Sequence, residues 1–449
     1  EKSFEKDLIG TNSIQRFEVN AYGKRINQID YEEGQKGKII KLTIDTEIQK
    51  FTSELLKNKA GSISVMDIYT GEIIAMNSSP SFDPNLFLYG IDRNTWKEIK
   101  NNPSKPLINK TISGLYSPGS TIKPLVALSA LENDVLKPNM KVKCEGKIEM
   151  YGQTYHCWRD KGHGYMSLKN AIKQSCDIYF YEVARLLGVD KLNLTAEKFG
   201  LGKKVLGEYF PNEKQGVFPS TKWKKKAIGQ NWYLGETFIT GIGQGYIQTN
   251  PLQLCLMTAQ LANGGYKIYP RIDLKKNQDT VEQIKNKMQQ MNKISNKKDS
   301  SIFKATENFF GTKTKEYTPL YKNSENIKFV LDAMFKSTNE LYGTSYKSRI
   351  EDPKYQFAGK TGTSQVKRIT EAERKLDLKI DQIPYKDRDH AWYVAFGPYR
   401  NPRYAVSVLI EHGGSGSKVA APIAKKLFKL IIDRHELREQ IKSKNKMNI

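Results

Sequence analysis

Long hydrophobic runs are what this sequence has least of. No apolar stretch approaches the roughly 18 residues of a membrane-spanning helix, so none is expected within it. Cysteine is scarce, with four in 449 residues. None sits in a zinc-finger spacing of the nucleic-acid-binding type, and no RNP-like motif is present, so no nucleic acid partner is expected. Internal repeats are missing too. Acidic residues are in deficit: 48 Asp and Glu face 72 Lys and Arg, a formal net charge of +24. Such a balance attracts polyanions, whether nucleic acid, anionic headgroups or an anionic cell-wall polymer. The excess is diffuse, however, spread over 222–226, 274–300 and the C-terminal residues, and a chain rich in Asn, Lys and Ile suits an AT-rich genome.

What is present suffices for a sizeable core, with 38% hydrophobic and 10% aromatic residues. Residues 1–38 are mixed and polar, without a strong period. The chain begins at Glu1 rather than Met, and we expect a fragment or processed form. A strand-like piece then enters a helix with apolar positions Ile48, Phe51, Leu55 and Leu56. Residues 61–77 read as a hairpin turning at Tyr69-Thr70-Gly71. The stretch 167–187 has one helical period, with Ser167 as its N-cap. Glycines cluster in GIGQG, 241–245, before another helical pattern. The segment 271–325 is poor in apolar residues and reads as an insertion or lobe. Three strand-like segments and an amphipathic helix close the chain. This order predicts an α+β fold in which the first and last thirds share one antiparallel sheet.

The chemistry begins at SPGSTIKP, 117–124. Ser120 and Lys123 stand three apart at a helix start, and such positions share a helix face. A serine hydroxyl is a poor nucleophile without a nearby base. A lysine serves as that base only if burial or a neighbouring cation lowers its pKa. A bare SxxK is common by chance. Here, however, Ser175-Cys176-Asp177 follows in a helical region, and Lys360-Thr361-Gly362 follows on a strand. This ordered trio is the signature of serine β-lactamases and penicillin-binding proteins. Lys360 would then be the cation beside Lys123, and the helix N-terminus would favour negative charge at Ser120.

The segments TIDTEIQ, TGEIIAMNSSPSFDPN, SPGSTIKP, SCDIYFYEVA, GIGQGYIQTNPLQL, AGKTGTSQ, HAWYVAFGPY and GGSGSKVAAPIA resemble the class B penicillin-binding proteins. Within them they resemble the elongation-specific D,D-transpeptidase branch, penicillin-binding protein 2. The resemblance implies the penicilloyl-serine transferase α+β domain over residues 39–436, with 1–38 as the end of a pedestal and 437–449 as a basic tail. It implies cross-linking of peptidoglycan stem peptides through an acyl-enzyme on Ser120, and acylation of that serine by β-lactams. The partner implied is a membrane glycosyltransferase of the elongation machinery. The location implied is the periplasmic face of an inner membrane, with the anchoring helix outside this sequence.

The roles implied are these. Ser120 attacks, with Lys123 as its base. The backbone N–H groups of Ser120 and Thr363 form the oxyanion hole. Lys360 and the Thr363 hydroxyl hold the donor's terminal carboxylate, and Gly362 lets its backbone come close. Ser175 bridges the two lysines and protonates the leaving D-alanine. Asp177 orients the substrate amide or Lys123. Thr361 faces away, and His390 and Trp392 pack or line the groove. Rival readings are a D,D-carboxypeptidase or β-lactamase, a β-lactam sensor, or a non-catalytic scaffold.

Three of the four cysteines, Cys144, Cys157 and Cys176, flank His163 in sequence, while Cys255 reads as core. Three thiolates and an imidazole make a closed tetrahedral set for structural zinc. The spacing also permits a Cys144–Cys157 disulfide or unlinked thiols. The resemblance favours zinc, because elongation-type members can carry a four-ligand site that includes the second-motif cysteine, here Cys176, and the histidine of a GHG, here His163.

Overall fold

The computed structural model describes residues 2–447, apart from 151, 276–278, 296–316, 368–372, 374, 375 and 377. Strands β1 (Ile14–Val19) and β2 (Arg25–Glu32) form an N-terminal hairpin exposed along most of its length. Strands β3 (Gly61–Asp67) and β4 (Ile73–Ser79) follow the Thr46–Leu55 helix, which Asp45 caps by accepting from Glu47 and Ile48 N–H. Two short pairs come next: β5 (Lys141–Cys144) with β8 (Gly164–Ser167), and β6 (Lys147–Met150) with β7 (Gln153–His156). The chain closes with β9 (Ala358–Ser364), β10 (His390–Gly397) and β11 (Tyr404–Ile410).

The central sheet is antiparallel with order β4-β3-β11-β10-β9, so the first and last thirds do pair, through β3 and β11. The β3–β4 turn follows from its residues. The Asp67 carboxylate accepts from Tyr69 and Thr70 N–H, and Gly71 supplies the positive φ of +71°.

Alternation along the strands divides the core in two. Ile63, Val65, Tyr393, Ala395, Val406 and Val408 meet the Thr46–Leu55 and Ala421–Asp433 helices. Trp392, Val394, Phe396, Ala405 and Leu409 face the Pro251–Ala262 helix and the larger helical region. Both faces are covered, so β3 and β11 are buried along their whole length; β11 reads as a nearly continuous apolar run, whereas β3 carries buried Ser62, Ser64 and Asp67. The sheet ends at β9, whose outer edge borders the Ser120 turn.

One expectation is altered, and two further segments gain detail. The 167–187 helix is two helices, Leu168–Gln174 and Asp177–Leu187, and Ser167 stands at the N-cap position without a capping hydrogen bond. The basic C-terminal residues are helical as far as Met447. They form the helix His435–Met447, in which buried Arg438 reaches Asp67 and Lys442 reaches Glu72. Within 271–325, residues Val281–Ser295 form a helix with Ile284 and Met288 buried, whereas 276–278 and 296–316 lie outside the described residues.

Candidate active site

The Ser120 turn is built by its neighbours. Gly119 has φ +54°, and a Cβ there would lie 2.5 Å from Thr363 O. Only glycine lets this backbone cross so close to β9. Ser120 then sits in the 3₁₀ turn Gly119–Ile122, which runs into the Lys123–Glu132 helix with Pro124 in its first turn. That helix is buried on every side, which holds the turn rigid. Ser120 is partly exposed, and its hydroxyl has no hydrogen-bond partner among the described residues.

Lys123 is fully buried. Its Nζ donates to Ser175 O at 2.9 Å, to Ser175 Oγ at 3.3 Å and to Asp177 Oδ1 at 2.7 Å. The sequence places it beside Ser120, and the fold aims its ammonium at the second motif. Lys360, equally buried on β9, donates to Ser175 Oγ at 2.8 Å and Thr361 O at 2.9 Å. Burial, and then the charge of Lys123, push its pKa well below the lysine norm, against the pull of the Asp177 carboxylate.

Ser175 is the joint of this network. It takes φ +57° between the two helices, a left-handed conformation uncommon for serine. The break carries its Oγ between the two ammonium groups. Because Oγ accepts from both, its own proton remains available to a third group. Asp177 begins the next helix, with Oδ1 on Lys123 and Oδ2 accepting from Trp158 N–H at 2.9 Å. Burial raises the Asp177 pKa, and the Lys123 charge counters it. Of its two expected partners, the substrate amide and Lys123, Asp177 bonds Lys123 directly.

On β9, Thr363 is exposed and Gly362 is buried. A Cβ at Gly362 would meet Thr121 Cγ2 at 2.7 Å and Pro118 O at 3.0 Å. The absent side chain thus makes room for the chain's own Ser120 turn. Thr361 turns away to bond Thr344. Trp392 is wholly buried and donates Nε1 to Ser117 O at 3.2 Å, which makes it packing, while His390 stacks edge-on against Tyr116.

The ligand atoms of Cys144, Cys157, His163 and Cys176 lie within 4.8 Å of one another. The sulfurs of Cys144 and Cys157 each stand 3.5 Å from His163 Nδ1. Two ligands of a tetrahedral zinc with ordinary Zn–S and Zn–N lengths stand about 3.5 Å apart, so this donor set fits zinc. Hydrogen bonding with Cys176 holds the Cys157 and Cys144 thiols below the usual range and drives the Cys176 thiol up. All four cysteines are free. The cluster abuts the network, because Asp177 N–H donates to Cys157 Sγ at 3.4 Å.

Two contributors were missed in the sequence. Trp158 fixes Asp177 and also bonds Gln174 O through its indole N–H. Its one signal was adjacency to Cys157. Gln244 donates to Thr363 O at 3.2 Å, and its signal was the glycine cluster around it.

The penicillin binding protein transpeptidase domain model matches residues 61–429. The peptidoglycan D,D-transpeptidase MrdA of Salmonella typhimurium is 32% identical over 435 residues, covering 96% of this chain. This chain spans 65% of that relative's length. PBP2 of Pseudomonas aeruginosa superposes with a TM-score of 0.73 at 35% identity, over 88% of this chain and 79% of that one. PBP2 of Helicobacter pylori, solved in complex with MreC, gives 0.79 at 29% identity, over 96% and 71%. The chain belongs to the penicillin-binding protein transpeptidase family.

Proposed function

We propose that this chain is the catalytic part of an elongation-type peptidoglycan D,D-transpeptidase. The observation that carries the reading is the placement of Ser175 Oγ between Lys123 and Lys360, beside the Ser120 turn. Ser120 attacks the penultimate D-Ala carbonyl of a stem peptide, and Lys123 takes its proton. The N–H groups of Ser120 and Thr363 receive the oxyanion. Ser175 hands its proton to the departing D-alanine nitrogen and is resupplied through the lysines. Lys360 and Thr363 hold the terminal carboxylate. An amine from a second stem peptide then resolves the ester, forming the cross-link. β-Lactams acylate the same serine.

Cys144, Cys157 and Cys176 as thiolates, with His163 through Nδ1, would hold a structural zinc. When bound, the ion supplies a cross-link and no chemistry of its own. The consequence falls on Cys176 and Cys157, which flank and contact the Ser175–Asp177 break and keep Asp177 on Lys123. The relatives lend support to the remaining partners. We assign the chain to the periplasmic face of the inner membrane, working with a membrane glycosyltransferase. The H. pylori relative is solved with MreC, and a further neighbour belongs to a peptidoglycan synthase complex that coordinates polymerization and crosslinking.

The test supplies a D-Ala-D-Ala stem peptide and an amine acceptor and follows D-alanine release and coupled product by mass spectrometry. Coupled product that disappears in Ser120→Ala supports the reading. Rapid multiple turnover of nitrocefin, without coupled product, would make the protein a β-lactamase instead.

A further inference from the structure

The glycine-rich turn 241–245 leaves the Leu234–Gly241 helix and takes no part in the chemistry above. It nevertheless touches both sides of the groove. Gly243 O accepts from Gly119 N–H at 2.9 Å, and Gln244 Nε2 donates to Thr363 O at 3.2 Å. Gly119 adjoins Ser120, and Thr363 lies on the strand edge. One turn therefore holds both segments that carry the oxyanion donors.

The approach leaves no slack. A Cβ on Gly243 would lie 2.1 Å from Gly119 O, and one on Gly119 would lie 2.5 Å from Thr363 O. Three backbones are stacked in contact, and two of those residues need positive φ, +80° and +54°. Contact alone fixes how near the segments come. The Gln244 amide adds direction, because its hydrogen bond restrains the peptide that Thr363 O terminates.

The turn is anchored from behind. Tyr246 packs its ring against Trp223 at 5.5 Å and Trp232 at 6.3 Å. Lys224 is fully buried, paired with Glu236, and lies 4.6 Å from the Tyr233 ring and 5.7 Å from the Tyr246 ring. Ser117 Oγ donates to Ile247 O at 3.3 Å, which ties the turn again to the segment before Ser120. Gln244 is thus a polar arm on a fixed base.

We infer that Gln244 is a positioning residue for acyl transfer, one that holds the Thr363 donor at the correct distance and angle from the Ser120 donor. The inference rests on the serine acyl-transfer reading. Loss of one oxyanion donor costs on the order of 10²–10³ in rate, and misplacement costs part of that. Gln244→Glu keeps the shape but turns the donor into an acceptor facing a carbonyl, and Gln244→Leu removes the polar group.

The test measures acylation of the full chain by penicillin, the melting temperature, and the infrared ester-carbonyl band of the acyl-enzyme. The band reports how strongly the oxyanion donors polarise the carbonyl and is read on acylated molecules only. The expected result is acylation at least about tenfold slower, with the band moved to higher wavenumber in both variants. Acylation within about twofold of the parent chain with an unmoved band overturns the inference, as does slow acylation with an unmoved band. Failure of the parent chain to be acylated at Ser120 would sink the acyl-transfer reading itself and is a separate outcome.

Discussion

Lys360 Nζ stands 2.8 Å from Ser175 Oγ, although 185 positions separate the two residues in sequence. One comes from the edge strand and the other from a break between helices, and neither is placed without the other's element. The same hydroxyl takes a 3.3 Å hydrogen bond from Lys123. Ser175→Ala should therefore uncouple the lysines. We expect penicillin acylation to fall by a factor on the order of 10², the usual worth of a positioned proton-transfer group. Stopped-flow or gel-based acylation kinetics would measure it, and a change below about threefold would remove Ser175 from the proton path.

Lys360 gives a pH prediction. Burial, helped by the Lys123 charge, depresses its pKa in the folded chain, so the unfolded chain binds more protons between that depressed value and about 10.4. The resulting cost to stability is fully present at lower pH and fades as pH rises through this window. Lys360→Met removes it. The stability of the variant minus that of the parent, from urea unfolding, should be largest at the low-pH end, below the depressed value, and shrink toward pH ~10.4. Parallel curves would contradict a depressed Lys360.

The cysteine cluster yields a metal prediction. Elemental analysis should find one zinc per chain. Chelation should lower both the melting temperature and the acylation rate, since Cys157 receives the Asp177 N–H and Asp177 holds Lys123. Cys176→Ala should do the same without chelator. A metal-free, fully active protein with a Cys144–Cys157 disulfide would decide for the rival.

At the far end of the sheet, burial alone would raise the Asp67 pKa, but Arg403, Arg438 and Lys442 hold it far below the carboxylate range. Arg438→Ala strips a buried partner from Asp67 and Glu72. Because Arg403 still pairs with Asp67 and Lys442 with Glu72, it should destabilise the chain by about 1–3 kcal/mol in urea unfolding. Acylation per folded molecule should be unchanged, because the active-site end of β11 is about 20 Å away. Equal stability would mean that the C-terminal helix is not docked.

How much of this was legible varies with the range of the interaction. Ser120, Lys123 and Lys360 stood in the sequence because their motifs are short and local. The shared sheet was legible because β10 and β11 are buried on both faces and carry dense apolar runs, and because β3 leads into β4 through a turn marked by Gly71. The break at Ser175 was not, because Ile172, Cys176, Tyr179, Val183 and Leu187 keep a helical apolar spacing straight through it. A left-handed serine is favoured by a pair of lysines from elsewhere in the chain, and periodicity does not record that. Trp158 and Gln244 escaped for the same reason, since both act through backbone groups distant in sequence. Ser167 was legible in place but not in bonding: it stands at the cap position, as its type suggests, and its side chain makes no capping bond.

Every step proposed above starts from Ser120 as the acylated nucleophile. Incubation with penicillin followed by intact-mass and peptide mass spectrometry tests it most directly. One covalent equivalent is expected on Ser120, persisting for minutes or longer and absent from Ser120→Ala. An adduct on Ser175, or none on well-folded protein, would contradict it.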